Sequence, residues 1–211
     1  MFTPKELTPS TSSAIIKDIM AMQEVGQATI AYFYFDFRDT DKRDFRGALA
    51  SLLMQLSAYS DNYWDILSHV HQAHNNGAKK PSDGIMIACF IEMLALPDQR
   101  PVYIILDALD ECPYHYSARM DVLDILRDLI GLRLPNLHIC VTSRPEIDIR
   151  TTLEPLVSYQ ISIHDQNGQK KDIEDYIRSS VYSGSSRLMR RWREEDKEWV
   201  IDTLSKRADG M

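Results

Sequence analysis

Asp107, Asp110 and Glu111 stand within five positions of one another, directly after the apolar run Val102–Leu106, VYIIL. Carboxylates clustered at the end of a buried strand repel one another unless something positive sits among them, and hydrated Mg²⁺ is the simplest candidate. Magnesium takes one or two carboxylates and completes its shell with waters and substrate phosphates, while a second acid a few residues on can orient or deprotonate an attacking water. The spacing of DALDE allows both jobs. A second strand-like run, LHICVT, ends in Ser143, Arg144 and Pro145, and a third, ATIAYFYFDF, carries Asp36 near its end.

The elements around these residues alternate. A helix is expected from about Ser12 to Gln23, then a strand over Ala28–Phe37, which is dense in β-branched and aromatic residues and shows little alternation, as a strand buried on both faces does. Phe45, Leu49, Leu52, Leu53 and Leu56 form the stripe of an amphipathic helix over Arg43–Tyr59. Further helices are expected over Tyr63–His74 and Ile85–Ala95, separated by the Gly-, Pro- and Asn-rich loop NNGAKKPSDG. Val102–Leu106 is then a central strand, Ala118–Leu132 a helix, Leu137–Thr142 a strand and Val157–Ile163 a fourth strand, followed by helices over Lys170–Val181 and Leu188–Lys206. Strands separated by helices imply right-handed β-α-β units, so the fold class is α/β, a parallel sheet with helices on both faces. Ligands of such sheets bind beyond the carboxyl ends of the strands, where Asp36, Asp107, Asp110, Glu111 and Arg144 collect.

Composition narrows the function classes. The 211 residues are 44% hydrophobic and 26% charged, an ordinary globular balance, and the net charge of −7 is the wrong sign for a dominant electrostatic grip on nucleic acid. Cys89, Cys112 and Cys140 are widely spaced and contain no C-x-x-C, which suggests neither a disulfide framework nor a zinc site. No window approaches the ~18 apolar residues of a membrane span, and MFTPKELTPS has no secretory h-region, so the expected address is cytoplasmic, with no membrane and no nucleic-acid partner.

The segment VYIILDALDEC resembles the Walker B element of NACHT-type P-loop NTPases, and LHICVTSRPE is similar to the strand that follows it there. Together with FYFDFRD and the closing ADGM, these motifs look like the fungal branch of that family, the nephrocystin-3-like N-terminal domain of the STAND class. The resemblance implies a P-loop NTPase-like parallel sheet, Mg-ATP or Mg-GTP as cofactor, Asp107 on the metal, Asp110 and Glu111 on the water, and Arg144 sensing the terminal phosphate. It also implies a nucleotide-driven oligomerisation switch of an NLR-like protein, placed between an effector region and ankyrin, WD or tetratricopeptide repeats. Its partners would be copies of itself or other protein modules.

One departure stands against this agreement. No G-x-x-x-x-G-K-[ST] occurs; where the phosphate loop belongs, before SSAIIKDI, the chain reads MFTPKELTPST, with Thr8 and Pro9 near the places of the phosphate Lys and the Mg²⁺-binding hydroxyl. Lys5 does not fit the spacing, and no glycine precedes Gly26. The Walker A strand, which lies in the family between the equivalents of Leu137–Thr142 and Val157–Ile163, is missing as well. Hydrogen bonds to charged groups contribute roughly 1.5–3 kcal/mol each, so losing three weakens nucleotide binding ~10³-fold or more. The expectation is therefore a fragment or degenerate copy that does not itself bind or hydrolyse ATP, with a nucleotide-independent protein-interaction module as the alternative. Its parts would be an irregular segment 1–11, an incomplete NTPase core 12–183 and a helical segment 184–211.

Other residues admit sharper readings that lose to plainer ones. His69, His71 and His74 are expected to be solvated helix residues rather than a metal site, since only positions 71 and 74 share a face. Arg187, Arg190, Arg191 and Arg193 around Trp192 are followed by Glu194, Glu195 and Asp196, which favours an ion-paired helix over nucleic-acid contact. Tyr32–Phe35 and Phe37 read as buried strand rather than a stacking platform, and Cys112 as a packed or partly exposed thiol rather than a nucleophile. A metal-dependent hydrolase of a non-nucleotide substrate at Asp107 has only the acids in its favour.

Overall fold

The aromatic run after Ala28 forms β1 (Thr29–Tyr34), which pairs in parallel with β2 (Val102–Asp107), and β2 pairs in parallel with β3 (Leu137–Val141). The order of the sheet is β1-β2-β3, and Tyr34 lies opposite Asp107. The computed structural model describes residues 11–39, 44–97, 99–113, 118–161, 167–183 and 192–208. It divides into two units, Met1–Val157 and Ser158–Met211.

In the first unit, helices cover both faces of the sheet, as the alternation of strands and helices requires. On one face, Phe33, Phe35, Ile104 and Leu106 pack with α2 (Phe45–Ser57), α4 (Asp83–Leu94) and α5 (Ala118–Gly131) through Leu52, Leu56, Phe90, Met93, Leu123 and Leu126. On the other, Ile30 and Ile105 pack with Ile16 and Ile19 of α1 (Thr11–Glu24). The α3 helix (Asp61–Ala73) contributes Tyr63 to the larger core, and α2 begins where the Asp44 carboxylate accepts the Gly47 N–H at 2.6 Å. The outer edge of β1 is capped by side chains. Gln55 accepts from Tyr32 N–H at 3.1 Å and donates back to the Tyr32 carbonyl at 2.8 Å, and Gln23 accepts from Ile30 N–H at 2.8 Å. No described helix is long and apolar enough to cross a membrane.

Three expectations are corrected. The strand expected over Val157–Ile163 is absent from residues 157–161: Val157 is outside any element, and Tyr159 and Ile161 are 85% and 63% exposed. A strand exists only where it pairs with a neighbour, and residues 157–161 pair with none of the three described strands. Residues 162 and 163 lie outside the described residues, as do residues 1–10 with Lys5, Thr8 and Pro9, residues 184–191 with three of the arginines, and the last three residues of ADGM. β1 stops three residues short of Phe37, because β2 runs out at Asp107, whose carbonyl takes the Phe35 N–H at 3.0 Å. A short helix, α6 (Ile147–Leu153), follows Pro145 where none was expected, since seven residues hold fewer than two repeats of an apolar stripe.

The second unit contains α7 (Asn167–Tyr182) and α8 (Glu194–Ala208), with Val181 and Ile201 buried. Polar contacts join the two helices: Tyr182 donates to Glu194 at 2.8 Å and Glu198 at 3.0 Å, Arg178 donates to Glu198 at 2.7 Å, and the Lys197 ammonium lies 5.0 Å from the centre of the Tyr182 ring. Glu194 pairs with Lys197 and Glu198 with Arg178, while Arg187, Arg190 and Arg191, for which an ion-paired helix was expected, lie outside the described residues.

Two outcomes test this architecture. Leu56, fully buried, costs about 2–5 kcal/mol as Leu56→Ala in denaturant unfolding, against no more than about 0.5 kcal/mol for exposed Met54→Ala. Acceptance of the Tyr182 proton by Glu194 and Glu198 pushes that phenol up to about 12, so its contribution is present below an unfolded value of about 10 and is lost as pH climbs from there through 12. The difference in phenolate absorbance between the native chain and Tyr182→Phe then titrates near 12, and a difference curve centred at 10 would show that these hydrogen bonds do not form.

Candidate functional site

Asp107 is the last residue of β2, half-buried at the carboxyl end of the sheet. After it the chain turns sharply. Ala108 takes a left-handed conformation, φ 55°, which a non-glycine residue holds only when its surroundings fix it. Here the fixing groups come from Thr142, one residue beyond β3. Its hydroxyl donates to the Asp107 carboxylate and accepts the Ala108 N–H at 3.0 Å, and its carbonyl takes the Leu109 N–H at 3.0 Å. Leu109, with no exposed surface, plugs the turn into the core, and Leu109–Glu111 form one turn of 3₁₀ helix.

The same turn meets the loop that follows β3. The Asp110 carboxylate, with 11% of its side chain exposed, accepts the Arg144 N–H at 3.0 Å and faces its guanidinium at 3.5 Å. The Arg144 side chain is 81% exposed. The structure thus brings Asp107, Asp110 and Arg144 together across two neighbouring strand ends, with Arg144 ion-paired to Asp110. Glu111, the last residue of the 3₁₀ turn, is half-buried. Asp36 joins the same end of the sheet, its carboxylate accepting from Arg38 at 3.0 and 3.2 Å, and this raises the Arg38 pKa, with a smaller contribution from Glu111.

Sequence reasoning missed two residues of this site. Thr142 was counted as the end of a strand, although a hydroxyl two residues before Arg144 was the available signal. Arg119 is 7% exposed and donates to the Cys112 carbonyl at 2.8 Å and to the Asp110 carbonyl. Its signal was positional, for it falls on the apolar stripe of α5 with Val122, Leu123 and Leu126.

His74 bonds the Val70 carbonyl at 2.7 Å within its own helix, and His69 and His71 are exposed. Among the described residues, no three His, Cys, Asp or Glu side chains are close enough to hold a metal by themselves. Phe33 and Phe35 are buried, with only Phe37 of that run well exposed. Burial pushes the Cys112 thiol up to about 11, the Asp44 and Asp121 charges adding to it against Arg119, and burial likewise pushes Cys89 up to about 11. Cys140, beside Asp107, is raised by burial first and by that carboxylate second, but it is partly exposed. In the native chain at about pH 8 a thiol reagent therefore modifies Cys140 first and leaves Cys89 and Cys112 until denaturant is added. Native labelling of Cys112 as fast as Cys140 would show that the acidic turn opens.

Residues 10–144 match the family model described as Nephrocystin 3, N-terminal. No curated protein and no solved structure gives a match. The matched span covers more than half of the chain, runs from the start of α1 to Arg144, and includes Asp107, Asp110 and Glu111. On that match, the chain belongs to the nephrocystin 3 N-terminal family.

Proposed function

We propose that this chain carries the metal-holding and phosphate-sensing part of a NACHT-type nucleotide switch, and that the 211 residues alone hold Mg-ATP or Mg-GTP only weakly. The observation that carries this reading is the join at the strand tips, where Thr142 bonds Asp107 and Asp110 bonds Arg144. It sets a carboxylate suited to magnesium and an exposed guanidinium suited to a phosphate on neighbouring strand ends.

The donor set fits the ion. Asp107, Glu111 and Thr142 offer oxygen alone, and magnesium needs only one or two carboxylates beside waters and phosphate oxygens. Bound Mg²⁺ would supply positive charge to offset that of the phosphates. Asp107 would hold the ion, with Thr142 fixing its carboxylate. Asp110 already bonds Arg144, so its role is to orient that residue, which leaves the Glu111 carboxylate as the base that would accept a proton from water. Arg144, anchored through its backbone, keeps an exposed side chain that can turn toward a terminal phosphate. The Walker B and sensor residues are then Asp107, Asp110, Glu111 and Arg144, while G-x-x-x-x-G-K-[ST] occurs nowhere in the chain. The output of the switch would be association with other copies or protein modules, as in STAND-class, NLR-like proteins.

A nucleotide-independent interaction module is the second reading, and β3 favours it. Val102 N–H bonds Asn136 and Thr142 N–H bonds Leu106, so the alternation of a parallel ladder turns the backbone groups of Ile139 and Val141 away from β2, toward an edge that a partner strand could extend.

Calorimetric titration with Mg-ATP separates the readings. The 211-residue chain binds ~10³-fold more weakly than the same chain joined upstream to a phosphate-loop segment from a family member. In the joined protein, Asp107→Ala weakens Mg-ATP at least about tenfold and leaves metal-free ATP unchanged. Equal Mg-ATP binding after Asp107→Ala would overturn the metal role.

A further inference from the structure

Arg119, in the first turn of α5, is a charged group withdrawn almost wholly from water, which is stable only when its donors are matched. Three acceptors match them. Nε donates to the Cys112 carbonyl at 2.8 Å, one terminal nitrogen donates to the Asp110 carbonyl, and the other faces the two Asp148 oxygens at 3.3 and 3.4 Å. A planar fork of five N–H groups can serve three acceptors in different directions, whereas a lysine ammonium in the same place cannot span them.

These acceptors lie on two segments that flank Arg144. One is the acidic turn, whose Asp110 carboxylate takes the Arg144 N–H, and the other is α6, which begins three residues after Arg144 and carries Asp148 in its first turn. Residues 144–148 are therefore tied at one end by Asp110 and at the other by Asp148, and Arg119 bonds both ties.

We propose that Arg119 is the positioning residue of this site: it locks the acidic turn against the start of α6, so that the Arg144 segment is held at both ends and a displacement of Arg144 is passed to α5 and α6. The regulatory meaning of that coupling rests on Arg144 acting as the phosphate sensor. The mechanical coupling does not.

Residue-resolved amide exchange on the intact chain tests it without nucleotide. Arg119→Met raises exchange at Arg144 and Glu111 by about tenfold or more and leaves Phe33 and Ile104 in the sheet within about threefold. Asp148→Asn raises exchange at Arg144 in the native background, although Asp148 is not the group that holds that amide, and adds nothing once Arg119 is Met. Unchanged exchange at Arg144 in Arg119→Met, or an Asp148→Asn effect that persists undiminished beside it, overturns the proposal. Should Arg119→Met not fold, Arg119→Lys keeps the pair with Asp148 but releases the two carbonyls, and native-like exchange at Arg144 in that variant is equally fatal. Failure of the magnesium reading at Asp107 would leave these exchange rates untouched, so the two can fail separately.

Discussion

Because β2 is packed on both faces, with Ile104 and Leu106 turned to one core and Ile105 to the other, these three residues are buried and the strand comes back to water at Asp107. That constraint places the carboxylates. Asp107 cannot sit among Ile104–Leu106 without burying a charge, and the turn after it must reverse at once to keep Leu109 in the core while the Asp110 carboxylate reaches Arg144 and Glu111 stays partly exposed. The left-handed backbone of Ala108 is the local consequence, and it is sustained by Thr142, which bonds the residues before, at and after the reversal.

The charged contacts of the chain differ in weight. Pairs such as Arg127 with Asp124 or Lys206 with Asp202 lie on exposed helix faces, where water and salt screen them, and each contributes little to stability. Arg119 with Asp148 is another matter, since both side chains are largely covered, at 9% and 18% exposed, and the guanidinium also bonds two carbonyls. Removing one member leaves the rest buried and unmatched, which is the costly case. The site thus has an inner frame of Thr142, Asp110 and Arg119 held by hydrogen bonds, and an exposed outer group in Arg144.

The two edges of the sheet are treated differently. Along β1, glutamines from α1 and α2 occupy outward backbone groups, and Gln55 pairs with both groups of Tyr32 as a neighbouring strand would. Along β3, the outward backbone of Ile139 and Val141 has no such glutamine among the described residues. A parallel strand carries its full hydrogen-bonding pattern only when both neighbours are present, and along β1 the two glutamines stand in for the second neighbour.

Much of this was legible in the residue order. The apolar run before Asp107, the aromatic run from Thr29 and the leucine stripe of α2 report burial directly, and burial fixes period and element type. The spacing of DALDE and SRP marked the strand tips as the place for chemistry, and the family match covers DALDE and reaches Arg144. The sequence could not show that Val157–Ile161 would stay out of the sheet, because strand propensity describes a segment, whereas pairing depends on a neighbour. Nor could it show that Asp110 would engage Arg144, that Thr142 would clasp Asp107, or that Arg119 would be buried beneath both. Each of those bonds joins residues 9 to 35 positions apart, and such contacts are set by how strands and helices close in space rather than by local pattern.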